Sequence, residues 1–175
     1  LTKPTAPSIS APIAWTNNDA SVEITAGTDH DSGVARTEYR LNGESWTTYN
    51  GALTISSNGE TTVEARTIDL AGNVSDTDTA IVKVDKVKPA LSINPSTTSI
   101  THEDVILTAT ASDKYSGVKR MMLPDHTWVN DSSATFNARY NGTYEFVVED
   151  LAGNTHTESI TITNIDKTIS FEKPS

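Results

Sequence analysis

Asp69-Leu70-Ala71-Gly72-Asn73 recurs unchanged as Asp150-Leu151-Ala152-Gly153-Asn154, 81 residues further on. Two more words recur around it. Ser32-Gly33-Val34 returns as Ser116-Gly117-Val118, and Val84-Asp85-Lys86 as Ile165-Asp166-Lys167. A repeat of just over 80 residues means two copies of one module. The reading sets domains at 1–86 and 87–175. The tail 166–175 is expected to begin a linker to a following module, because it repeats the word that joins the first copy to the second.

Around these words apolar residues alternate with polar ones. Val22, Ile24 and Ala26 are expected on one face, with Glu23 and Thr25 on the other. Tyr144, Phe146 and Val148 alternate with Glu145 and Glu149 in the same way. Period two is the mark of strands with one wet face, and no helical period is sustained. Asn42-Gly43 lies between strand-like runs and predicts a type I′ turn. Strands are expected near 8–14, 21–28, 34–41, 45–49, 52–56, 60–68 and 78–84. In the second copy they are expected near 90–94, 104–111, 118–123, 127–130, 134–138, 143–149 and 157–164. Seven short strands per copy predict an all-β chain of two tandem immunoglobulin-like sandwiches. Tyr39, Leu41, Val63, Tyr144, Phe146 and Val148 are the expected core. Pro89 fixes φ near −65° in the short joining segment and predicts a stiff linker.

The formal net charge is −10. Each copy is acidic, so the chain repels nucleic acid and anionic membranes. There are no cysteines to form disulfides. No run approaches the roughly 18 apolar residues that span a bilayer.

Carboxylates gather where the predicted loops meet. In a sandwich of this kind the loop after the second strand and the loop after the sixth lie at one end. That end carries Asp29, Asp31, Asp69 and Asn73 in the first copy. It carries Asp113, Asp150 and Asn154 in the second, facing the joint that holds Asp85. Oxygen ligands of this type suit calcium, and these eight residues form the candidate metal set. No cofactor is expected to be required. The bland alternative is that Asp and Asn serve the backbone of their own turns. The four histidines His30, His102, His126 and His156 form no zinc or nucleophile motif, and no enzyme is expected. Trp15, Trp46, Trp128, Tyr49 and Tyr140 offer flat faces for sugar stacking. Trp46 and Trp128 hold matching places in the repeat, which favours a structural role. Trp15 has no counterpart and is the candidate for ligand binding.

The order of words carries a resemblance. Trp15-Thr16-Asn17-Asn18-Asp19, then Ser32-Gly33-Val34, Glu38-Tyr39-Arg40-Leu41-Asn42-Gly43 and Trp46-Thr47-Thr48-Tyr49-Asn50-Gly51 lead to Thr67-Ile68-Asp69-Leu70-Ala71-Gly72-Asn73. This resembles the bacterial immunoglobulin-like modules strung along large secreted and cell-surface proteins. The second copy departs from it at Met121-Met122-Leu123-Pro124. The resemblance implies a secreted or cell-surface location and a non-catalytic spacer that positions adjacent adhesive or catalytic domains. The partners it implies are neighbouring domains of the same polypeptide, with a cell-wall, host or matrix glycan or protein beside them. The alternative is a ligand-binding module, either an adhesin or a carbohydrate-binding appendage of a secreted glycan-active enzyme.

Overall fold

The structure, a computed structural model, describes residues 2–168. The expected linker in the tail lies outside them beyond Thr168. All regular elements are strands, and no helix occurs among the described residues. The chain divides into two compact units, Leu1–Val87 and Lys88–Ser175.

The first unit holds β1 (Ser8–Ser10), β2 (Ala20–Thr25), β3 (Val34–Leu41), β4 (Thr47–Thr48), β5 (Leu53–Ile55), β6 (Gly59–Asp69) and β7 (Asp78–Val84). They make two sheets, ordered β1-β2-β5 and β4-β3-β6-β7. The fourth strand pairs with the third. In a constant-type immunoglobulin domain it sits on the opposite sheet. Alternation decides which faces meet. Ala20, Val22 and Ile24 of β2 turn inward with Ile55, against Val63 and Ala65 of β6 and Val82 and Val84 of β7. Burying each valine contributes about 1.5–3 kcal/mol.

Three local features refine the sequence reading. The first strand ends at Ser10, not near residue 14. Pro12 has no N–H to continue a ladder, and Ile13 is 89% exposed. The chain then crosses to the other sheet, where Thr16 bridges Val84 in parallel. Ala26 is exposed, because β2 stops at Thr25. Next to it Gly27 allows a close crossing: a Cβ there would stand 1.9 Å from the Thr5 carbonyl oxygen. The turn at Asn42-Gly43 has the expected form. Both residues have positive φ, 49° and 76°, and Glu44 N–H donates to the Leu41 carbonyl at 2.9 Å.

The second unit holds β8 (Ala90–Pro95), β9 (Val105–Ser112), β10 (Val118–Met122), β11 (Trp128–Val129), β12 (Ser133–Ala138), β13 (Gly142–Asp150) and β14 (Thr155–Ile162). Its sheets are ordered β12-β9-β8 and β11-β10-β13-β14. Leu107 and Ala109 on one sheet face Met121, Phe146 and Val148 on the other. Phe136 meets the Phe146 ring edge-on at 6.5 Å. Of the expected core, Val63, Phe146 and Val148 are fully buried. Tyr39, Leu41 and Tyr144 are half-buried and pack at its margin.

Candidate functional site

The repeated pentapeptide forms the hairpin after the sixth strand of each unit, and its aspartate folds the loop back on itself. Asp69 Oδ1 accepts from Asn73 N–H and Oδ2 from the Asn73 amide, both at 2.7 Å. Burial pushes the Asp69 carboxyl up and the Asp29 charge adds to that. The Asn73 donors more than offset both and hold it below the usual carboxylate range. Asp29 shapes the facing loop: its Oδ2 accepts from Ser32 N–H and Gly33 N–H, each at 2.7 Å. Burial raises the Asp29 carboxyl, and these donors overcome that and lower it. Asp31 is turned elsewhere, with Oδ2 taking contacts from the exposed Thr2.

The second unit repeats the arrangement. Asp150 Oδ1 accepts from Ala152 and Asn154 N–H at 2.9 Å, and Oδ2 from the Asn154 amide at 2.8 Å. Asp113 Oδ2 accepts from Tyr115 N–H at 3.0 Å and Gly117 N–H at 2.8 Å. Asp150 is fully buried. Asp113 Oδ1 is shielded from solvent without a hydrogen-bond partner. Carboxylate oxygens of Asp113 and Asp150 lie within 4.8 Å of each other. Among the described residues, the ion pairs of this unit engage Glu149, Glu158 and Asp104 instead. Two like charges this close repel, and a cation between them would offset that repulsion. Two oxygens on one Ca²⁺ at about 2.4 Å can stand about 4.8 Å apart, so the pair fits that ion. Asp85 closes the end of the first unit, with Oδ1 accepting from Val87 N–H at 3.0 Å. Asn73 and Asn154 direct their amide nitrogens at their own aspartates, so they act first as loop braces.

Each tryptophan has its own surroundings. Trp46 packs against two guanidinium groups, Arg66 at 4.1 Å and Arg40 at 4.6 Å from its ring. Trp128 lies under Arg120 at 4.0 Å. Trp15 is half-buried. Beneath the Trp46 stack is a group that sequence reasoning missed. Glu38 is 8% exposed and accepts from Arg36 at 2.8 Å and from Arg66 at 2.7 and 2.9 Å. Burial pushes its carboxyl up, and the two arginines more than reverse this. Glu149 is likewise held low, by Lys119 first, against burial, and by Arg120. Alternation of charge along β3 and β6 was visible; the 28-residue pairing of Glu38 with Arg66 needed the strand register. Two histidines are tied to backbone: His156 Nδ1 to the Pro89 carbonyl at 2.8 Å, and His102 Nδ1 to that of Asp166.

Residues 83–173 match the model of a family described as a domain of unknown function (DUF7743). Among curated proteins, none matches the chain. Among solved structures, it is similar to the fibronectin(III)-like modules of Clostridium thermocellum CbhA. The identity is 17% over 97% of this chain and 99% of that one, with a TM-score of 0.43. The D00-D0 domain of intimin is 14% identical over 90% of this chain and 99% of that one, with a TM-score of 0.46. The ectodomain of mouse nectin-like molecule 4 is 12% identical over 97% of this chain and 67% of that one, with a TM-score of 0.49. With these scores below 0.5, the fold rests on the strands themselves. The family model spans just over half of the 175 residues, and the chain therefore belongs to the family described as a domain of unknown function (DUF7743).

Proposed function

We propose that the chain is a non-catalytic spacer: a tandem pair of immunoglobulin-like modules in a bacterial cell-surface or secreted multidomain protein. It positions adjacent adhesive or catalytic domains. One observation carries this reading. The words common to both copies supply residues that hydrogen-bond within their own loops: Asp69 with Asn73, Asp150 with Asn154, Asp85 with Val87. Sequence retained for folding alone is what a spacer needs. Calcium belongs to the same proposal, held in the second unit by Asp113 and Asp150 and stiffening its loops.

The test is exchange. Replacing the segment within its parent polypeptide by two unrelated sandwich modules of equal length should preserve the parent's adhesion or turnover. Loss of that activity, with expression and export intact, would sink the spacer reading.

A further inference from the structure

The two copies serve as controls for each other, and they differ at the loop after the fifth strand. In the first unit β5 leads through Ser56-Ser57 into Asn58-Gly59; in the second β12 leads through Arg139-Tyr140 into Asn141-Gly142. The recess beside Ser56-Ser57 is ≈ 220 Å³, has no aromatic residue in its lining, and sets Leu41 and Ile55 among polar groups such as Asn42, Glu44 and Thr54. The one beside Arg139-Tyr140 is an open cleft of ≈ 640 Å³. That size lies within the roughly 300–1,000 Å³ of small-molecule sites. Since the same sandwich closes around Ser-Ser in the first unit, folding does not demand the Arg-Tyr pair or the larger cleft.

The lining has a definite chemistry. Phe136, Tyr140 and Tyr144 supply aromatic surface, with Asp125, Asn137 and Arg139 beside them. Tyr140 is 73% exposed, a high value for a large ring. Its neighbour is fixed, because Tyr144 Oη donates to the Tyr140 carbonyl at 2.6 Å, and Phe136 packs on Tyr144 at 5.8 Å. Asp125 accepts from Thr127 N–H and Oγ1, both through Oδ1. Arg139 is largely exposed, with a single distant ion pair to Asp104 at 3.9 Å. A pyranose ring presents an apolar C–H face and a rim of hydroxyls. It matches a ring that stacks beside one carboxylate acceptor, one amide and one planar donor.

We propose that this cleft of the second unit binds a neutral oligosaccharide, with Tyr140 stacking on a pyranose ring and Asp125, Asn137 and Arg139 holding its hydroxyls. The site is independent of the spacer reading, because a module that positions its neighbours works with or without it. The experiment is a ¹⁵N–¹H correlation titration of the whole chain with cello-, xylo-, manno- and chito-hexaose at millimolar concentration. At least one should shift resonances confined to residues around Tyr140. Arg139→Ser with Tyr140→Ser installs the first unit's own loop. It should weaken that binding about tenfold or more, the loss of a stacking ring, with an unchanged melting temperature. Asn137→Ala, an exposed and milder change, should weaken it in the same direction if the double variant folds poorly. The proposal is overturned if no sugar shifts these residues, if both variants bind as well as the parent, or if only an extended peptide binds there, along the edge of β12.

Discussion

Asp150 Oδ1 accepts from the N–H of Asn154 at 2.9 Å, so a side chain reinforces the backbone bond from Asp150 N–H to the Asn154 carbonyl that closes the hairpin between β13 and β14. Gly153, with φ at 92°, lets the chain turn inside that bond. The repeated word is thus a device for folding a loop. Its side effect in the second unit is to bring a second carboxylate close to Asp113.

That proximity predicts a response to calcium. Adding calcium should raise the melting temperature of the second unit relative to chelator. A ligand at a hundred times its dissociation constant stabilises by about 2.7 kcal/mol. Asp113→Asn should abolish the shift. In chelator the same variant should be at least as stable as the parent, since one of two facing charges is gone. Calorimetry with and without calcium checks both arms, and equal melting in the two conditions would remove calcium from the account.

Gly27 predicts a steric fault with a built-in control. Gly27→Ala places a methyl on the Thr5 carbonyl, an overpacking expected to cost about 1–3 kcal/mol. Removing residues 1–6 takes the obstacle away, so in that background the alanine should cost far less. Urea unfolding of the four combinations decides it; an equal penalty in both backgrounds contradicts the close crossing.

Acid should weaken the fold through Glu38 and Glu149. Their folded carboxyls titrate below the ordinary value of 4.5. The unfolded chain therefore binds protons first as pH falls. The stabilisation is complete above about pH 4.5 and is lost as pH drops through the lower folded value. Glu38→Gln should flatten the acid limb of the first unit's stability curve. Unfolding midpoints measured from pH 6 down to pH 3 read this directly, and an unchanged slope would show that the arginines do not hold the charge.

Much of the architecture was legible because it depends on local pattern. Alternation located the strands, and Asn42-Gly43 announced its own turn. The overrun of the first strand past Ser10 came from reading apolar content without weighing the missing N–H of Pro12. The sequence already set Asp113 beside Asp150, and their carboxylates do lie close; which side chains of the set turn toward one another was not legible. Asp31 turns away while Asp113 and Asp150 meet, and that depends on loop conformation. Glu38, Arg66 and Trp46 come together only through the register of β3, β4 and β6, which no short window contains. Tyr140 was visible as an aromatic residue; its exposure depends on the loop that carries it.

The central claim is that what the two copies share serves the fold, and Asp69→Ala tests it most directly. The variant and the parent would be unfolded in urea with chelator present, each unit followed by its own amide resonances. The account predicts a lower midpoint for the first unit, because its donors outweigh the repulsion from Asp29, and an unchanged midpoint for the second. An unchanged midpoint for the first unit would contradict it and return the pentapeptide to the list of binding residues.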